Sequence, residues 1–174
     1  MKRRFYAIGL CILLIFSLVL SSAAFYFPFS FLFSRKTGST AKTPSAPTMP
    51  DASAASQILT SVNTYRSQNH LAPVVLSSAL SSGAQKKADD LHDANYFSHV
   101  SPTYGSAFDM MRQQGIRYSY AGENIAKGYA SSSAVMGGWM NSPSHKANIL
   151  SPHFTTLGVG YVKNGGYWVQ WFIG

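Results

Sequence analysis

The most constraining stretch of this chain is its end. Leu157, Val159 and Tyr161 alternate with other residues, Asn164-Gly165 supplies a tight turn, and Tyr167, Val169, Trp171 and Ile173 alternate on the way back. Successive side chains of a strand point to opposite faces, so this pattern predicts an antiparallel hairpin. Upstream the period changes. Ile58, Leu59, Val62, Tyr65 and Arg66 recur at helical spacing before Asn69-His70 and Pro73, and Leu80, Ala84, Ala88 and Leu91 do so again. Lys86, Lys87, Asp89 and Asp90 fall between the latter, as on the polar side of an amphipathic helix. Ser106 and Asp109 have capping-box spacing, with Gly115 placed to close a short helix. Ser132 or Ser133 would cap a helix carrying Val135, Met136, Trp139 and Met140, despite Gly137 and Gly138. Pro143 then opens a helical turn through His145 to Leu150, which Pro152 stops. Helices followed by a hairpin, with no βαβ rhythm and no repeat, predict an α+β layered domain.

The front of the chain obeys a different chemistry. After Lys2-Arg3-Arg4, the run from Phe5 to Ser34 carries no charge and is rich in Leu, Ile, Phe, Val and Ala. A length of about 20 such residues spans a bilayer, and the basic cluster favours a cytoplasmic N-terminus with the remainder translocated. Residues 1–34 are therefore expected to be a transmembrane anchor or a signal peptide. Ser22-Ala23-Ala24 is an acceptable cleavage site. Cleavage there would leave Phe25-Tyr26-Phe27-Pro28-Phe29 at a mature N-terminus, and those aromatics sit more naturally at a membrane interface, which favours a retained single-pass anchor over secretion. Residues 35–56 shift to Thr, Ser, Ala and Pro and read as a tether, leaving 57–174 as the folded domain.

The net charge of +8 is concentrated at that front, where six Lys and Arg precede residue 44; beyond it, eight Lys and Arg face six Asp and Glu. The basic balance is a topogenic signal, and no nucleic-acid partner is expected. Cys11 is the single cysteine and lies in the apolar run, so the domain has no disulfide and its stability must come from packing.

Glu123 is the only glutamate, and in sequence it stands between Phe97-Ser98-His99 and Ser144-His145-Lys146. Two neutral imidazoles and one carboxylate form a plausible three-ligand zinc set with a fourth position for water; alternatively His99 and His145 bind the metal and Glu123 is a general base. A purely architectural network, with the rings bonded to backbone and to Glu123, uses the same residues. His70, His92 and His153 are expected to be solvated or structural, and Ser144 beside His145 is no catalytic dyad. Trp139, Trp168 and Trp171 are first core residues and only secondly a surface on which sugars could stack.

Taken in order, several motifs resemble one family. They are Asn63-Thr64-Tyr65-Arg66, Tyr96-Phe97-Ser98-His99-Val100-Ser101-Pro102, Gly122-Glu123-Asn124-Ile125-Ala126, Trp139-Met140-Asn141-Ser142-Pro143-Ser144-His145-Lys146-Ala147-Asn148-Ile149-Leu150, and Gly158-Val159-Gly160 with Trp168-Val169-Gln170-Trp171-Phe172. From about Ile58 to Gly174 the chain resembles the CAP superfamily (cysteine-rich secretory, antigen five and pathogenesis-related proteins) in its bacterial, disulfide-free form. The resemblance implies an α-β-α sandwich with a C-terminal antiparallel hairpin and a central cleft. There a tetrad of two His and two acidic residues binds a divalent metal in some members. His99, Glu123 and His145 fill three of its places. Ser142 stands where many eukaryotic members carry the second acid.

The resulting expectation is a monomeric, membrane-tethered extracytoplasmic domain whose His99, Glu123 and His145 line a cleft for a metal such as zinc or for a cell-envelope, peptide or lipid ligand. Its rivals are a metal-dependent hydrolase of peptide or cell-wall material, a lipid or sterol carrier, and a protein-interaction module.

Overall fold

The computed structural model describes residues 52–174, all in one of the chain's two units. The membrane segment expected over 1–34, Cys11 and most of the linker lie outside the described residues. Among the described residues no helix is long and apolar enough to cross a membrane. The elements in order are α1 (Ala52–Gln68), β1 (Val75–Leu76), α2 (Ser78–Asp93), β2 (Val100–Ser101), β3 (Gly105–Ser106), α3 (Ala107–Gln113), β4 (Ala121–Ala126), α4 (Ser132–Met140), α5 (Pro143–Ile149), β5 (Thr156–Val162) and β6 (Tyr167–Ile173). Helix α1 begins inside the stretch read as linker, and Ala54 and Ala55 are buried. Alanine and serine suit a tether by composition, yet alanine is also the best helix former, so composition could not place this boundary.

Strands β1, β5, β6 and β4 form one sheet in that order, with β1 parallel to β5 and the other pairs antiparallel. The expected hairpin is β5–β6. Register places Leu157 opposite Phe172 and Val159 opposite Gln170. Leu157, Val159, Trp168 and Phe172 pack with Ile58 and Val62 of α1, Val135 and Trp139 of α4, and Ile149 of α5. Val169 and Trp171 face the other way, onto Leu80, Ala84 and Leu91 of α2 and Met110 and Met111 of α3. The sheet is thus covered on both faces. That is why β6 is almost wholly buried where an exposed sheet would show one polar face.

Two local details depart from expectation, and one strand is not anticipated. Ser131, and neither Ser132 nor Ser133, caps α4 by accepting from the Ala134 N–H. The hairpin closes through Lys163–Gly166: the Gly166 N–H donates to the Lys163 carbonyl at 3.1 Å, and Gly165 and Gly166 take φ of +79° and +60°. Asn164 keeps a negative φ, so its pairing with Gly165 is not the two-residue turn that needs both positive. Finally, Ala121–Ala126 form a strand, although Gly, Glu and Asn disfavour one; six paired positions on β6 impose it. The capping box of α3 is present, with Ser106 and Asp109 each bonded to the other's backbone N–H, and Gly115 follows at φ +72°.

Two packing devices hold the layers. Gly158 and Gly160 face α2, where a Cβ would come within 2.5 Å of the Leu80 backbone and 2.2 Å of the Ala84 carbonyl. Beside them, Ser81 accepts from the Val159 N–H, and the Gln85 amide accepts from the Tyr161 N–H while donating to its carbonyl. The helix thereby stands in for a neighbouring strand. On the opposite face Arg66, only 1% exposed, donates to the carbonyls of Ala72, Ile149, Ser151 and Phe154 at 2.8 to 3.0 Å.

Candidate functional site

The site is built where β4 meets the loop after α2. Glu123 projects from β4 to the same face as its cross-strand partner Trp171. It is 8% exposed, and both carboxylate oxygens are engaged: Oε2 accepts from the Trp171 indole N–H and Oε1 from His99 Nδ1, each at 2.7 Å. An indole N–H and an imidazole N–H satisfy a carboxylate that burial would otherwise penalise. His99 is held at its Nδ1 edge while 59% of its side chain remains exposed, so Nε2 is left toward solvent.

The loop carrying His99 is fixed from beneath by Lys87. This side chain is fully buried, and its ammonium donates to the Tyr96 hydroxyl and the Ser98 carbonyl, both at 2.9 Å. The Tyr96 hydroxyl donates in turn to Asp90. Burial lowers the Lys87 pKa, and Glu123 and Asp90 oppose that shift. Lys87 thus does not lie on the polar side of α2, where its neighbours suggest it belongs. It follows Leu80 by seven residues and Ala84 by three, a spacing that continues the apolar stripe, and a cation at such a position is the signal that betrays it. After His99 the chain turns through β2 and β3 around Ser101, whose hydroxyl accepts from the Thr103 and Tyr104 N–H groups.

His145 comes from α5. The structure joins His99 to Glu123 directly, whereas His145 reaches neither by a side-chain hydrogen bond. Its backbone carbonyl accepts from Asn124 Nδ2, and its ring lies near enough to His99 for that charge to matter. Asn148, one turn later, donates to the Glu123 carbonyl and to Asn124 Oδ1, and Asn124 donates to Gln170, so α5 is tied to β4 through a row of amides. The cleft itself, about 260 Å³, is lined by His99, Glu123 and Asn148 with Ser106, Phe108 and Ala121 among others. Ser142 caps α5 without a side-chain bond to it, and Ser144 shares a hydroxyl contact with Ser142.

Environment drives the two imidazoles apart. The hydrogen bond to Glu123 raises the His99 pKa against the opposing effect of burial, and burial lowers that of His145, assisted by His99. For His99, whose folded pKa is raised, the stability contribution is full below the ordinary value of about 6.5 and is lost as pH rises through the folded value. His145 has the opposite sign: its neutral ring contributes above that value, and the contribution fades as pH falls. In Glu123→Gln, an amide turning its oxygen to Trp171 presents NH₂ to His99 Nδ1, which only a neutral ring can accept. Ring-proton NMR titrations are therefore expected to place His99 above and His145 below the ordinary value in the parent, with His99 falling in Glu123→Gln. An unmoved His99 midpoint would refute the coupling.

A metal would find half a ligand set. Glu123 is committed to Trp171 and His99, and among the described residues no three His, Cys, Asp or Glu are placed to hold an ion. His92 and His153 serve elsewhere: His92 bonds Asp93 and Asn164, and His153 stacks on Tyr120 at 4.1 Å. All three tryptophans are buried, with their indole N–H groups on Ile125, Tyr129 and Glu123, so none offers a stacking surface.

A sheet covered by helices on both faces, with an imidazole–carboxylate pair in a cleft at its β4 edge, defines a class of small sandwich domain. The chain belongs to the cysteine-rich secretory protein family (CAP), whose profile matches residues 59–173. It is similar to two proteins of Bacillus subtilis (strain 168): the uncharacterized protein YkwD, 52% identical over 112 residues, and the uncharacterized membrane protein YlbC, 37% identical over 117. These matches cover 64% and 67% of this chain but 44% and 33% of those proteins, so the chain spans less than half of either relative. Among solved structures, an extracellular protein containing a SCP domain from Bacillus anthracis str. Ames matches with a TM-score of 0.68 and 34% identity, over 74% of this chain and 45% of that one. An outer surface protein from Borrelia burgdorferi shares the fold at 18% identity and a TM-score of 0.62, over 67% of this chain and 88% of that one.

Proposed function

We propose that this is a membrane-tethered, extracytoplasmic ligand-binding domain whose cleft captures a polar ligand through His99, with His145 beside the cleft and Glu123 as the positioning carboxylate. The observation that carries this reading is the double commitment of Glu123, which fixes the His99 ring at Nδ1 in a residue that lines the cleft and whose side chain is 59% exposed. One imidazole held at Nδ1 by a carboxylate, with a second imidazole near it, offers ring nitrogens that suit an amide or a carboxylate. Tethering is supported by Lys2-Arg3-Arg4 ahead of the uncharged run from Phe5 to Ser34, and export by the descriptions of two relatives as extracellular and membrane proteins.

The test is a small library of capped amides and carboxylates added to the full-length chain in detergent solution. Binding members should shift the ring resonances of both His99 and His145, and lose affinity at least tenfold in Glu123→Gln. Hits that leave both rings unmoved would sink the reading. Calorimetry with zinc chloride should show no stoichiometric binding at submicromolar Kd, because two imidazoles fall short of the three or four protein ligands such sites use.

A further inference from the structure

The cleft of the proposed binding site has a backbone as well as side chains. Tyr120 and Gly174 exchange both backbone hydrogen bonds, so Gly122, Asn124 and Ala126 also turn their backbone groups toward β6, while Ala121, Glu123 and Ile125 turn theirs away. Side chains occupy part of that outward row: Asn148 donates to the Glu123 carbonyl and Trp139 to the Ile125 carbonyl. The Glu123 N–H and both the N–H and carbonyl of Ala121 have no partner among the described residues. Both residues line the cleft. Elsewhere in the same sheet the groups that β5 turns outward are met by Ser81 and Gln85, and just ahead of β1 Asn63 brackets the N–H and carbonyl of Val74.

We propose that the cleft ligand is an extended peptide that adds a short strand to the outer edge of β4. A donor and an acceptor on Ala121, then a donor on Glu123, match the N–H and carbonyl groups of an extended chain and match little else of that length. Asn148 on the Glu123 carbonyl ends the pairing there, so the added strand is about two or three residues long and delivers the next part of the peptide to His99. Phe108, 39% exposed on the cleft wall, meets its side chains. This inference rests on the cleft being a binding site, but it needs neither imidazole.

The probe is a pool of acetyl- and amide-capped hexapeptides randomised in their side chains, so that the extended backbone is what its members share. Hydrogen exchange on the full-length chain, read by mass spectrometry, should show slower exchange over residues 119–125 with the pool. A matched pool N-methylated at alternate peptide bonds should give at least tenfold weaker protection. Ala121→Pro removes an N–H that points away from β6, a change an edge strand tolerates, and should weaken protection tenfold or more with the circular dichroism of the fold unchanged. Should that variant not fold, the N-methylated pool still decides. No protection with the plain pool, or protection indifferent to N-methylation, overturns the proposal. Protection that persists in His99→Ala plus His145→Ala supports the edge and removes the imidazole reading; ring shifts from amides or carboxylates without edge protection do the reverse.

Discussion

Replacing Arg66 by alanine is expected to destabilise the domain by about 4 kcal/mol, a large share of the roughly 5–15 kcal/mol that holds a domain of this kind together. Arg66 is 1% exposed, and among the described residues no carboxylate pairs with it; its partners are four carbonyls from three places, the end of α1's own loop at Ala72, the end of α5 at Ile149, and the following turn at Ser151 and Phe154. Truncation leaves several buried acceptors unsatisfied and a cavity beside them, each costing on the order of 1–3 kcal/mol if unrelieved. A lysine keeps the charge but has one nitrogen where the fork has three, and should recover only a minor part. Urea unfolding of Arg66→Ala and Arg66→Lys measures both. A loss under about 1 kcal/mol in the alanine variant would mean that water replaces the guanidinium freely.

The second large effect is expected at Gly160. An alanine there would set its Cβ 2.2 Å from the Ala84 carbonyl oxygen and 2.5 Å from the Gln85 nitrogen, and backbone atoms in a helix cannot step aside singly. Helix α2 must lift, which also pulls the Gln85 amide from Tyr161 and the Ser81 hydroxyl from Val159. The expected cost is about 3 kcal/mol or more. Gly137 is the control: in α4 a Cβ meets nothing within 4 Å, so Gly137→Ala should be neutral or stabilise by about 0.5–1 kcal/mol. Thermal melts of the two variants should separate in opposite directions. Equal stability would show that α2 and β5 do not approach as closely as the glycines permit.

Consequences for the site follow from the same seam. Lys87 is on α2, three residues beyond Ala84, and holds the loop that presents His99. A lifted helix therefore disturbs the cleft without touching it.

Local patterns made much of this legible. The hairpin, the capping box at Ser106 and Asp109, the helices through Ile58, Leu80 and Trp139, and the motifs around His99, Glu123 and His145 depend on neighbours within a few residues, which a sequence displays directly. Boundaries were less clear. Ala52 to Ala55 read as tether because alanine and serine serve equally in a linker and a helix, and Ser131 differs from Ser132 as a cap only by the dihedral it adopts.

By itself, then, the sequence determined that a charge-free apolar run is followed by a disulfide-free α+β domain of the CAP family carrying two histidines and one glutamate in recognisable motifs. Only the tertiary structure decided how they are used. Six positions paired on β6 make Ala121 to Ala126 a strand and bring Glu123 opposite Trp171. Helix packing buries Lys87 behind His99, and α5 contributes Asn148 to the cleft while His145 stands beside it. These contacts join residues far apart in the chain, and their geometry follows from strand register and layer packing, which no local spacing encodes.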